Sequence, residues 1–370
     1  ANTYAGQTLI RNATVEASVL ANKGQASSLG TGAVNEVIEM ASGGNSTVLH
    51  VMGALRYVGS SDAVTDRPVQ IANSVSTVQS VTAVLENNGT GTVQFTAPIT
   101  STGTNLTAAR TLRLAGSNAG ANQIFSLGDN GSVGTRLQKT GAGTWMLAAD
   151  STYSGGTQVD AGALLVINGS GAGSGSATGS GEIMVASGAL LGGHGRILAR
   201  PNQNITLTGG TLQIGSELPG TPATAAGLLT VQTSGSGGLI LDAGAILSFD
   251  LFSGAGLGDN SSLLAAADLA VIQGTLSLGS STILRVSNPL NMTAWTANDQ
   301  WRLFDWSGLS SPVAGNISSF DLPALPDGLM WNTSDLFSTG ILSISLVPEP
   351  GRAAFTIFGL FSLCARRRRR

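Results

Sequence analysis

The chain has little thiol or imidazole chemistry: one cysteine, Cys364, and two isolated histidines, His50 and His194, in 370 residues. A single cysteine excludes an internal disulfide, and the scattered histidines argue against a Cys/His metal cluster or a Cys–His nucleophile, so no cofactor or metal is expected. Charge is also sparse, at 11% of residues against a usual ~25%, and aromatics make up 5%. The net charge is −3, and because five arginines form the terminal run Arg366–Arg370, the remainder carries 13 basic against 21 acidic residues. A mildly acidic body argues against a nucleic-acid partner.

Small and β-branched residues fill the space left by charge. There are 51 glycines, and 42% of residues are hydrophobic. This composition reads as all-β.

Two repeats organise the body. Asn2-Thr3-Tyr4-Ala5-Gly6-Gln7-Thr8-Leu9 matches Ser151-Thr152-Tyr153-Ser154-Gly155-Gly156-Thr157-Gln158-Val159. Only the second copy has the lead-in Lys139-Thr140-Gly141-Ala142-Gly143-Thr144-Trp145-Met146-Leu147, so the chain is expected to begin in mid-repeat, inside a longer protein. It starts at Ala1, and its opening stretch carries no basic start, apolar run and small-residue cleavage site. A shorter unit, glycine followed by period-two alternation, opens at Gly162, Gly188, Gly210, Gly244 and Gly274. Most neighbouring units lie one solenoid turn apart in sequence, whereas a hairpin-built sandwich shows turns every ~8–12 residues. Alternation puts Leu164, Val166, Leu212 and Ile214 on one inward face. At roughly 25 residues per coil the body is expected to make about 13 or 14 coils and a rod of about 60 Å.

The block 137–198 resembles the autotransporter-associated β-strand repeat in Lys139–Leu147, in Thr152-Tyr153-Ser154-Gly155-Gly156-Thr157, in Ala161–Val166 and in Val185–Gly195. That resemblance implies a right-handed parallel β-helix on an exported protein. The terminal outer-membrane barrel of a true autotransporter has no counterpart in this tail, so self-translocation through such a barrel is not expected.

Three parts are therefore expected: a parallel β-helix over 1–288, a C-terminal cap over 289–346 and a tail over 347–370. Four of five tryptophans, Trp295, Trp301, Trp306 and Trp331, fall in the second part. They read as core packing that closes a solenoid end, with sugar stacking as the alternative.

The tail joins Pro348-Glu349-Pro350 to an apolar run over 353–365 and then to Arg366, Arg367, Arg368, Arg369 and Arg370. As a helix the run would reach only roughly 20 Å of the ~30 Å hydrocarbon core. The arginines would stay on the cytoplasmic side. This tripartite pattern resembles the PEP-CTERM sorting signal. The resemblance implies an exosortase-like membrane transpeptidase as partner, transient anchoring in the inner membrane, and delivery to the cell surface or to an extracellular matrix rich in exopolysaccharide.

The reading is a non-enzymatic structural or adhesive β-helix; the alternative is a polysaccharide lyase or hydrolase on the same scaffold. For that alternative the candidate carboxylates are Asp242 and Asp250, joined by Asp259; period-two counting places the first two on one side. Their other reading is turn and strand-end solvation. Asp62, Asp66 and Arg67 could form a local ion pair but read as a solvated loop. His194, in a glycine-rich turn, reads as a surface residue. Ser60 and Ser154 lack a nucleophile elbow. The glycine-rich stretch 169–176 opens no helix and is no phosphate loop. Tyr4 and Tyr153 read as stacked within the coil.

Overall fold

A computed structural model describes residues 1–43, 50–169, 175–215, 218, 224–253 and 266–348. Its named elements are all strands, and all but three of them lie in parallel sheets. Sheet one stacks ten strands in chain order from Ala13–Ala17 through His50–Tyr57, Thr135–Lys139 and Thr157–Val159 to Leu276–Leu278. Sheet two stacks ten more, from Ala63–Thr65 through Thr144–Leu147, Ala163–Val166 and Leu190–Gly193 to Ser319–Asp321. The chain visits sheet one, then sheet two, and pairs each strand in parallel with its counterpart one coil later. That is a parallel β-solenoid.

A third side is strand only at its two ends. Thr8–Ile10, Ile38–Met40, Val69–Ala72 and Thr100–Thr102 form one four-stranded sheet, and Arg196–Leu198, Leu228–Gln232, Leu269–Gly274 and Phe304–Leu309 form another. Between them the side continues through single contacts: the Ile99–Leu127 bridge, Thr152 N–H to Leu127 O at 3.0 Å and Ala177 N–H to Arg196 O at 3.1 Å. Coil length follows from this. The coil from Leu137 to its partner Thr157, where the third side has no strand, is half as long as the coil from Ala13 to its partner Gly53. The expectation of 13 or 14 coils is therefore corrected to ten levels in each long sheet, a stack of about 45 Å at ~4.8 Å per level.

Inward residues form columns through the stack. In sheet two, Trp145, Leu164, Leu191, Leu212 and Leu247 stand in register, all essentially inaccessible. Val166 and Ile214 are buried beside them, as the alternation predicts. Each fully buried aliphatic side chain contributes roughly 1.5–3 kcal/mol, and stacking satisfies the main-chain groups at the same time. Of the glycine-entered units, those opening at Gly162, Gly188, Gly210 and Gly244 lead into sheet two, but the one at Gly274 leads into sheet one.

The two repeat copies keep the same contacts at matching positions. Asn2 N–H donates to Ser27 O at 2.6 Å and Ser151 N–H to Ser176 O at 2.8 Å; Thr8 Oγ1 donates to Leu29 O at 3.3 Å and Thr157 Oγ1 to Thr178 O at 3.1 Å. Yet they occupy different sides. Thr8–Ile10 lies on the third side and Ala13–Ala17 in sheet one, while Thr157–Val159 lies in sheet one and Ala163–Val166 in sheet two. The repeat is thus a strand–corner–strand unit that fits either of these neighbouring pairs of sides.

Within residues 289–346 the coil continues through Phe304–Leu309 on the third side and Ser319–Asp321 in sheet two, and the other strands depart from it. Gln300–Arg302, Ile341–Leu346 and Leu329–Asn332 form an antiparallel sheet. Trp295, Trp301 and Trp331 pack on one another with ring centroids 5.6 to 5.7 Å apart. The indole N–H groups of Trp301, Trp306 and Trp331 donate to Ser253 O, Leu336 O and Pro323 O. Trp301 is fully buried, which removes it as a sugar-stacking platform.

Candidate ligand-facing surface

The two described carboxylates of the enzymatic alternative, Asp242 and Asp250, stand on different sheets. Asp242 ends a strand of sheet one and Asp250 ends a strand of sheet two. The corner between them, Ala243 and Gly244 at φ 50° and 84°, breaks the period-two count that placed both on one side. Asp242 is exposed and accepts from its neighbour Ala243 N–H, while burial raises the Asp250 pKa, opposed by a hydrogen bond from Ser287. Beside Asp250 lies fully buried Asp268, whose carboxylate accepts from Asp250 N–H at 2.9 Å and Gly227 N–H at 2.8 Å, a structural role. Asp259 lies outside the described residues.

The second acidic cluster is also dispersed. Asp62 Oδ1 accepts from Thr92 N–H and Oγ1 at 2.8 Å, which lowers its pKa, and Asp66 Oδ1 accepts from Lys23 N–H at 2.7 Å. Arg67 corrects the solvated-loop reading: it is buried, and donates to Glu36 O, Leu29 O and Thr8 Oγ1 at 2.8 to 3.2 Å. Arg110 is buried in the same manner, bound to the carbonyls of Ile71, Asn73 and Asn105. Such cations satisfy carbonyls that the strand ladders leave over where the chain turns a corner.

His194 is half-buried; its backbone N–H donates to Val166 O at 3.0 Å, its Nδ1 has no hydrogen-bond partner among the described residues, and burial lowers its pKa. His50 is exposed, with Nδ1 2.7 Å from Ser80 Oγ. Ser60 is exposed, and Ser154 Oγ donates to Asp129 at 2.6 Å. Tyr153 is fully buried, as expected, but Tyr4 is 45% exposed. Of the tail motif, Pro348 is exposed; Glu349, Pro350, the run 353–365, and Arg366, Arg367, Arg368, Arg369 and Arg370 lie outside the described residues. Among the described residues no group of three or more His, Cys, Asp or Glu could hold a metal ion, and no helix is long and apolar enough to cross a membrane.

The strongest surface chemistry is on the outward side of sheet one. Arg56 bridges Glu16 and Glu86 across three coils at 3.0 and 2.9 Å, which raises its pKa. Farther along, Arg113 Nε donates to Gln138 Oε1 at 3.0 Å, Gln138 Nε2 to Asp160 Oδ2 at 2.7 Å, and Gln158 Nε2 to Asp160 Oδ1 at 2.6 Å. This ladder runs into a shallow groove of about 370 Å³ lined by Gln158, Asp160, Glu182, Met184, Ala186, Thr206 and Thr208. Register explains its shape. Gln158, Met184 and Thr206 form one outward column. Two positions further along the strands, the next column runs from Asp160 through Ala186 to Thr208, with the short alanine between two longer side chains. Sequence reasoning passed over these residues because the coil lengths that align them vary; the signal was the polar outward positions of strands whose inward positions were already assigned.

Comparison with known proteins bears on the coil at the head of this groove. Residues 137–166 match the family model described as Passenger-associated-transport-repeat. Those residues span paired strands of both long sheets and include the coil from Leu137 to Thr157, the shortest in sheet one. Over 175 residues the chain is 32% identical to the Adhesin BmaC autotransporter of Brucella suis biovar 1 (strain 1330). That similarity covers 46% of this chain and 4% of the relative's length. No solved structure matches.

Proposed function

We propose that this chain is part of an exported, surface-associated protein whose parallel β-helix, right-handed as the repeat resemblance implies, serves a structural and adhesive role and no catalytic one. The observation that carries the reading is the position of the passenger repeat: its matched residues are a regular coil inside a ten-level stack. The similarity to an autotransporter adhesin supports the same role. A shaft with polar outward ladders and buried corner cations suits a protein that projects from a cell and offers a long lateral surface.

In this reading residues 289–346 form the C-terminal cap, in which the packed tryptophans and an antiparallel sheet follow the last coil strands. The tail 347–370 is a sorting signal: Pro348, Glu349 and Pro350 are read by an exosortase-like transpeptidase, 353–365 holds the chain transiently in the inner membrane, and the arginines keep that end inside. Delivery to the surface or to an exopolysaccharide matrix follows.

The test is expression with and without residues 347–370, followed by fractionation and by binding of protein-coated beads to cells. The full chain is expected in the envelope and surface fractions and the truncated chain elsewhere, with both purified forms promoting adhesion. Identical partition would contradict the sorting role, and inert beads would contradict the adhesive one.

A further inference from the structure

We propose that the groove between Asp160 and Thr208 on the outer side of sheet one is a binding subsite for a neutral carbohydrate unit; this rests on the adhesive reading and names its ligand class.

The groove's volume of about 370 Å³ falls within the ~300–1,000 Å³ range of ligand sites. Its chemistry is one-sided. Asp160 and Glu182 supply carboxylate oxygens, Thr206 and Thr208 supply hydroxyls, and none of the lining residues is basic. Two carboxylates repel phosphate, sulfate or uronate groups and accept hydrogen bonds from sugar hydroxyls. Asp160 is held in place for this. Each of its oxygens already accepts one amide proton, from Gln138 and from Gln158, and each has a further lone-pair direction available. A carboxylate fixed before binding loses little side-chain entropy when a ligand arrives. Met184, 39% exposed, and Ala186 supply the apolar part of the lining, suited to the C–H face of a pyranose ring.

Two other occupants fit less well. A divalent cation needs more oxygen ligands than this carboxylate pair offers, and no metal-binding group occurs among the described residues. A basic peptide would pair with the same carboxylates, and its binding, unlike that of a neutral sugar, would be weakened by high salt.

The experiment is a glycan array probed with the full chain, comparing neutral oligosaccharides with their sialylated and sulfated counterparts, in buffer, in EDTA and in high salt. Neutral glycans are expected to be retained in all three buffers and acidic ones not. Asp160→Asn should weaken retention at least tenfold and Ala186→Leu, which fills the floor, should abolish it. Gln94→Ala, on sheet two, should leave it unchanged. Circular dichroism of each variant establishes folding, and Ala186→Leu decides the matter if Asp160→Asn does not fold. Absence of neutral-glycan retention, retention that survives Ala186→Leu, or retention lost in EDTA or in high salt would overturn the proposal. Beads that still bind cells while the groove variants lack glycan retention would support both the subsite and a separate adhesive contact; beads of unmodified protein that bind cells without any glycan retention would refute the subsite alone.

Discussion

The ammonium of Lys139 donates to the carbonyl of Ala161, 3.0 Å away in the next coil, from inside a column otherwise built of aliphatic residues. Leu114 lies on one side of it in register and Val159 on the other. Its remaining donors reach Thr140 O and Gly141 O at 2.9 and 2.8 Å, so one buried cation ties a corner of its own coil to the corner above. Lys139→Ala leaves three carbonyls without that donor and opens a cavity, and is expected to cost about 3 kcal/mol, measured by urea unfolding.

The same lysine makes stability depend on alkaline pH. Burial lowers its pKa from the ordinary 10.5 to about 8. Below pH 8 the folded and unfolded chains both hold the proton, and this group contributes no slope. Between about 8 and 10.5 the unfolded chain holds more of it, so stability rises with pH across that window. Lys139→Met should flatten this rise, as read from unfolding midpoints taken at a series of pH values across it.

Equivalent tyrosines should differ in value. Tyr153 OH lies 2.6 Å from Thr157 Oγ1 in a fully buried site, whereas Tyr4 OH lies 3.3 Å from Thr8 Oγ1 at a half-exposed one. Tyr153→Phe is expected to cost about 1–2 kcal/mol and Tyr4→Phe under about 0.5 kcal/mol. Burial also raises the Tyr153 pKa, so in spectrophotometric titration Tyr153 should ionise only on unfolding.

Glycines at positive φ separate into two classes. A Cβ on Gly179, at φ 63°, would lie 2.3 Å from Tyr153 O, whereas one on Gly188, at φ 75°, would meet nothing within 4 Å. Gly188→Ala bears only the backbone cost, about 1 kcal/mol. Gly179→Ala must also displace the chain of the preceding coil, and is expected to cost at least about 3 kcal/mol. Thermal and urea unfolding of the two variants side by side measures the difference.

What could be read from residue order was local. Alternation after Gly162 and Gly210 put Leu164, Val166, Leu212 and Ile214 inward, where they are, because side-chain direction in a strand depends only on parity. Anything crossing a corner was less legible. Asp242 and Asp250 kept parity on paper, but the left-handed pair Ala243–Gly244 turns the chain onto another sheet. Coil number failed for a related reason: a third side that is strand in some coils and a short link in others makes the coil from Ala13 to Gly53 twice as long as that from Leu137 to Thr157. Arg67 looked solvated because charge usually is, while the carbonyls of Leu29 and Glu36 that receive it come from elsewhere in the chain. The groove needed the register of three coils at once, which no single segment carries.

The central claim is that successive strands climb one axis in parallel. Gln94 and Arg285 stand in one outward column of sheet two, joined through Gln123, Met146, Leu165, Gly192, Gln213 and Ser248. Spin labels at these two positions, in a Cys364→Ser background, measure the climb by electron double resonance. Seven steps of ~4.8 Å predict a narrow distribution centred near about 34 Å. A distance below about 20 Å, as strands folded back against one another would give, would contradict the stack.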